Sequence, residues 1–419
     1  MTVPAYHRIL SVESANHSYD VAIAGAGPAG LATALYLLRE HPLMAGRIVA
    51  FEKARHPRAK VCAGGLIPRT MMALRELDLL PLAVPAVEVF GGTAATEAGE
   101  IDLGESAEPL CTIVRRDPFD GYLAAAAREA GLVILEDTRV RAVDPRSDEV
   151  RVATDRGEFS AAVLVGADGS GSIVRRTVFG RTKENIGRAI MADAPVDAIS
   201  TPEFVRRRYR FDFGCVPAGV RGYSWSFPCV IEGRPHLNLG IYDQTPREAV
   251  EPARGKSVLL DELRRAFPRT ALSGVRFKAF PIRWHDARDR YTAGRVILAG
   301  DAAGVDPLMG EGISYAFEHG KIAAAAIARF LGGDTEALEA YSARMHSGVI
   351  GRKLRRLGFA ARRFYGPRHR LYFRIAAMSG RAQELGVDWY NGARGMDELS
   401  ICGALMRWAA AVLFGMRLR

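Results

Sequence analysis

The chain has 419 residues, 48% hydrophobic and 25% charged, enough to bury a large core and too long for one small domain; two interleaved domains and an extension are expected. Its five cysteines are odd in number, widely spaced and without a C-x-x-C pair, which argues against a disulfide framework or a zinc site and fits a reducing cytoplasm. No apolar run is long enough to span a bilayer, the first 18 residues lack the core of a secretion signal, and the net charge of +10 is concentrated in residues 344–419, where fifteen Lys/Arg face four Asp/Glu.

In chain order, YDVAIA at 19–24 predicts a strand, the glycines after it a tight turn, LATALYLLRE a helix and RIVAFEK at 47–53 a second strand. Between about 62 and 110 a helix-like stretch, RTMMALRELDLL, is set among short glycine-punctuated strands. FDGYLAAAAREAG reads as a helix, followed by strands near 132–135, 139–143, 150–154 and 162–167. From about 186 to 290, aromatic-rich alternation predicts an antiparallel sheet facing a substrate. RVILAG at 295–300 returns the chain to the first domain, and SYAFEHGKIAAAAIARFL predicts a long helix. The class is α/β, α+β overall.

Three blocks carry chemistry. In GAGPAG, Gly25 permits the tight turn, Gly27 lets a pyrophosphate approach the backbone and Gly30 lets helix pack on strand. Glu52, at the end of the second strand, is placed to accept ribose hydroxyls, and Ala29 and Lys53 join this dinucleotide set. The second block, VLVGADGSGSIVRR, ends a hydrophobic strand at Asp168 and Gly169; a cofactor contact and a plain surface turn both fit it. In the third, GRVILAGDAAGVDPLMGEGISYAFEHG, Asp301 is placed to accept a ribityl hydroxyl. Gly310, Gly312 and Ile313 open a helix whose amides would face the electron-rich end of a reduced flavin.

Together these blocks resemble the superfamily of FAD-dependent aromatic hydroxylases, flavin halogenases and geranylgeranyl reductases, over roughly residues 18–330. The resemblance implies a Rossmann-type FAD-binding domain from 18–61, 111–185 and 290–331, interleaved with a substrate domain from 62–110 and 186–289. A basic helical region, 332–419, follows, and no separate NAD domain is expected. RRDPFDGYL is similar to the superfamily's R-x-x-F-D-x-x-L helix start, which implies Arg116 near the flavin and Asp120 as a structural cap.

Two segments are similar to the geranylgeranyl reductase branch. HPRAKVCAGGLIPR resembles its cysteine-glycine-glycine segment, which implies Cys62, Gly64 and Gly65 beside the flavin, although a small core cysteine fits as well. GYSWSFP resembles its Y-x-W-x-F-P pattern, and alternation on a strand puts Tyr223, Trp225 and Phe227 on one face, as a substrate wall or as core packing. Departures are Asn238-Leu239-Gly240 where a glycine pair is usual, and PLMGEGI where a triple glycine is usual, which brings Glu311 near the cofactor. GYSWSFP is also similar to the halogenase W-x-W-x-I-P signature, but the residues after Gly65 offer Arg69 and no nearby lysine.

The expected activity is reduction of C=C bonds in an isoprenoid or other lipid-like substrate, with hydride from reduced flavin N5, Cys62, Tyr223 and Trp225 at the reaction site, and NADPH or a reduced carrier as electron donor. An aromatic or polyketide-type monooxygenase and a membrane-docked FAD electron-transfer protein are the alternatives, with halogenation further off. The arginine-rich tail, including RKLRRLGFAARRFYGPRHRLYFRIAA and LSICGALMRWAAAVLFGMRLR, fits either an interfacial helix on a membrane or a capping bundle, and nothing motif-like points to nucleic acid. A cytoplasmic protein, peripheral on the inner membrane face, is the expected localisation.

Overall fold

A computed structural model describes residues 17–180, 185–245, 255–268, 270, 272 and 274–378. Its first strand, His17–Ala24, is the centre of a sheet because Val21 to Ala24 are apolar without interruption and bury both faces. Ile48–Phe51 and Gly157–Gly166 flank it in parallel; Val133–Leu135 lies beyond the former and Val296–Leu298 beyond the latter. Thr292–Ala293, Val150–Thr154 and Val140–Pro145 complete eight strands. The helix Pro28–Glu40 starts directly after the glycine turn, with proline at its first position, where the missing N–H has no helical partner to lose. It packs against the helix Ile313–Leu331, so the first and third motif blocks meet across one interface.

The aromatic-rich region builds a second sheet of seven strands, in the order Lys278–Arg283, Ile186–Pro195, Arg234–Asp243, Gly222–Ile231, Arg208–Asp212, Gly91–Thr96 and Gly99–Glu105. All neighbours are antiparallel except Arg208–Asp212 with Gly91–Thr96. Its two faces have separate cores: Tyr209, Phe211, Tyr223, Trp225 and Phe227 on one, and Leu237, Leu239, Ile241, Leu259 and Leu263 on the other. A small third sheet joins Gly65–Leu66, Cys111–Val114 and Ala86–Val89.

Among the described residues, three helices follow Ile313–Leu331: Ala337–Ser347, Val349–Phe364 and His369–Met378. Ile350, Leu354, Leu357 and Ala361 recur at helical spacing and are buried in the same core as the first strand. The apolar side of Val349–Phe364 therefore faces the core of the protein, and no residue of this helix lines the cavity described below. LSICGALMRWAAAVLFGMRLR, with Cys402, lies outside the described residues. Among the described residues no helix is long and apolar enough to cross a membrane, and no cluster of His, Cys, Asp and Glu has the makings of a metal site.

Candidate cofactor and substrate site

One cavity of about 580 Å³ runs from the glycine turn to the aromatic sheet. Gly25, Gly27, Ala29, Glu52, Lys53, Cys62, Gly64, Gly65, Arg116, Asp168, Gly169, Tyr223, Trp225, Asp301, Gly310, Gly312 and Ile313 all line it. Gly30 does not. Its role is packing, since a Cβ there would stand 2.1 Å from the Gly25 carbonyl oxygen and 2.8 Å from Ile23.

At the dinucleotide end, Gly25 has φ +100, and a Cβ on it would meet the Ala167 carbonyl oxygen at 2.5 Å. Glu52 is buried and fixed by N–H donors from Ala26 and Ala54, both at 3.2 Å. Arg58, which motif reading passed over, bridges Glu52 and Asp120 at 3.3 Å each and comes within 3.3 Å of the Cβ position of Gly27. Asp168 anchors its turn through one carboxylate oxygen. Its Oδ2 accepts the Ile173 and Val174 amides at 2.6 and 3.2 Å, while its buried Oδ1 has no hydrogen-bond partner among the described residues. A glycine cradle, a fixed acidic residue and an orphan acceptor fit an adenosine diphosphate moiety.

Asp120 is not a cap. It lies inside the helix Arg116–Glu129, fully buried, and forms a two-pronged bond with Arg116 at 2.8 and 3.0 Å. Burial opposes the Arg116 charge, but Asp120 and the neighbouring Cys62 outweigh it and keep the guanidinium cationic. The R-x-x-F-D spacing puts Arg116 at the first helical position and Asp120 four residues on, one turn inside the helix.

At the ring end, Asp301 is oriented by Ser170, whose hydroxyl donates to Oδ2 at 2.9 Å. Gly300, at φ +60, donates its N–H to His319 Nδ1 at 3.0 Å, and burial holds His319 neutral as an acceptor, its pKa lowered to about 3. Gly312 caps the helix Ile313–Leu331, but the Glu311 carboxylate accepts the Ser314 amide at 2.8 Å, so one of the amides expected to face a flavin serves Glu311. The loop before it is fastened at three successive carbonyls: Pro307 by Gln244 at 2.7 Å, Leu308 by Tyr365 at 2.8 Å and Met309 by Tyr223 at 2.5 Å. Burial raises the Tyr223 phenol far above its ordinary range, so its proton stays on that carbonyl bond.

The wall itself is Tyr223, Trp225 and Phe227, with Ala189, Met191 and Ile282. The Asn238 departure has a structural reason. Trp225 Nε1 donates to Asn238 Oδ1 at 2.8 Å, Asn238 Nδ2 donates to Asp193 at 2.7 Å, and Arg115 closes the chain on Asp193 at 2.5 Å. Gly240 makes room for the indole, for a Cβ would be 2.1 Å from its ring. Asn238→Leu strands a buried indole N–H and is expected to cost about 1–3 kcal/mol in urea unfolding, with no loss of FAD.

Lys60 is the most informative residue that sequence reading missed. Its ammonium lies 3.2 Å from the centre of the Phe280 ring, on the cavity wall two positions before Cys62. Burial lowers its pKa to about 8, partly offset by Asp301. Between pH 8 and the ordinary lysine value, the unfolded chain holds a proton that the folded chain does not, so stability due to this group rises with pH there. Lys60→Met is therefore expected to raise the melting temperature of the apoprotein at pH 7, with the gain fading between pH 8 and 10; a constant gain across that range would refute the burial penalty.

Comparisons with known proteins agree with this geometry. The menaquinone reductase of Mycolicibacterium smegmatis is 29% identical over 327 residues, covering 74% of this chain and 76% of its own. A geranylgeranyl bacteriochlorophyll reductase-like protein of Thermoplasma acidophilum superposes with a TM-score of 0.73 at 20% identity, over 92% of this chain and 99% of the other. The p-nitrophenol 4-monooxygenase of Pseudomonas putida gives 0.68 at 20% identity, over 90% and 100%. Residues 18–350 match the FAD binding domain family, and with the glycine cradle, Glu52, Asp168 and Asp301 on one cavity, the chain belongs to that family and is an FAD-dependent oxidoreductase.

Proposed function

We propose that the protein reduces C=C bonds in an isoprenoid or similarly apolar substrate, taking electrons from NADPH or a reduced carrier. The observation behind this reading is the continuity of the cavity: the groups suited to FAD and the apolar wall of Tyr223, Trp225, Phe227 and Met191 line the same space. FAD, when bound, supplies hydride chemistry. The chain contributes the rest: Asp301 and Asp168 bind and orient, the aromatic wall excludes water from an apolar chain, and Arg116 keeps positive charge beside Cys62. The name of the M. smegmatis relative supports a quinone-linked isoprenoid as the first substrate to try.

The test is anaerobic incubation of reduced holoenzyme with menaquinone or geranylgeranyl diphosphate, read by mass spectrometry. Products that stay heavier by two hydrogens per turnover after the quinone ring has been reoxidised in air support the reading, because ring reduction alone adds the same mass and is reversed by oxygen. Products heavier by one oxygen, formed only when oxygen is admitted, would replace it with oxygenation. Flavin reoxidation by a carrier protein, with neither product, would replace it with electron transfer.

A further inference from the structure

From Arg344 to Met378 the chain has ten Lys/Arg and not one Asp or Glu. The helix Val349–Phe364 turns Ile350, Lys353, Leu354, Leu357 and Ala361 inward, which leaves Arg352, Arg355 and Arg362 exposed with Arg356 and Arg363 at their flanks. Arg344, Arg368 and Arg374, from the neighbouring helices, are exposed as well. Their bonds go to backbone: Arg352 donates to the Ser347 carbonyl and Arg355 to that of His346. Arg370 is exposed too and meets the carboxylate of Glu97, and among the described residues none of the other exposed arginines meets one.

Ordinary surfaces interleave charges of both signs. Here, among the described residues, the field is of one sign apart from Glu97, and apolar side chains stand within it: Val349 is 51% exposed, Leu371 is 44% exposed, and Phe359 lies under Arg363 at 3.7 Å. We propose that this face docks the protein on an anionic phospholipid bilayer, the arginines meeting headgroup phosphates and Val349 and Leu371 entering the interface. The apolar side of the helix is committed to the core, so the attachment is electrostatic docking rather than helix insertion. Arginine matches phosphate oxygens with paired donors, and apolar neighbours favour a lipid surface over a fully hydrated polyanion. The inference concerns where the enzyme works and stands apart from which bond it reduces.

The experiment uses the full-length holoprotein and vesicles of phosphatidylcholine, with or without roughly a third phosphatidylglycerol. Each arginine near an anionic leaflet contributes about fivefold in partitioning. The wild type is expected to co-sediment with the anionic vesicles only and to be released at about 0.5 M salt, where the Debye length is shorter than at physiological strength. Arg352→Glu/Arg355→Glu/Arg362→Glu is expected to weaken partitioning by at least about a hundredfold while retaining FAD and the wild-type melting temperature; Val349→Asp/Leu371→Asp, with the arginines intact, is expected to weaken it by a smaller factor. Equal binding to neutral vesicles overturns the proposal, as does unchanged binding of the triple variant. Tighter capture by duplex DNA, surviving salt that frees the vesicles, overturns it in favour of nucleic acid.

Discussion

Gly25→Ala is expected to weaken FAD retention by at least about a hundredfold, roughly 2.7 kcal/mol, visible as loss of the flavin absorbance on gel filtration. Two independent costs combine. A residue with a Cβ is strained at φ +100, and the added carbon would overlap the Ala167 carbonyl oxygen at 2.5 Å. Neither neighbour can yield alone, because the Gly25 N–H donates to Phe51 at 2.9 Å and the Ala167 N–H donates to Ala24 at 2.9 Å. The substitution thus disturbs the glycine turn and the Asp168 turn together. A variant retaining stoichiometric FAD with wild-type affinity would show that the cradle is not where the dinucleotide binds.

Asp289→Asn is expected to destabilise the protein by about 3–5 kcal/mol. Arg283 ends the edge strand of the second sheet, is 2% exposed, and pairs with Asp289 through Nη2; its Nε and Nη1 have no hydrogen-bond partner among the described residues. Burial raises the Asp289 carboxyl while Arg283 opposes the shift, and a buried ion pair as a whole gains little over being solvated. Removing one member is different, since it leaves a buried charge uncompensated. The double variant Arg283→Met/Asp289→Leu is expected to recover most of the loss in denaturant unfolding. If the single and double variants fall equally, the cost is one of packing and not of stranded charge. The pair also bears on the site, because the Arg283 N–H donates to Ser170 at 3.1 Å, and Ser170 holds Asp301.

The residues legible in sequence were those whose function is local. Gly25, Gly27, Glu52 and Asp301 are tied to strand ends and turns that periodicity and punctuation reveal, and all reach the cavity. Gly30 was legible too, as a packing glycine. Asp120 was read as a cap because a motif gives spacing without helix phase. Lys60 was out of reach: its chemistry depends on Phe280, far along the chain and on the second sheet, and a search for lysine after Gly65 looks on the wrong side of Cys62. The Asn238 partnership with Trp225 depends on the register between two long strands. For the basic helix Val349–Phe364, amphipathicity shows that an apolar side exists and is silent on whether lipid or protein covers it.

The triple fastening of Pro307, Leu308 and Met309 bears on substrate choice. Its three anchors come from a strand of the second sheet, from the residue just after a second strand and from the C-cap of a C-terminal helix, so the segment cannot reshape itself by letting go of one neighbour. The ring-end lip of the cavity then behaves as a fixed template rather than a flap. Discrimination between substrates falls to shape already present before binding, and a bulkier substrate is accommodated by trimming the wall, not by coaxing the lip to move.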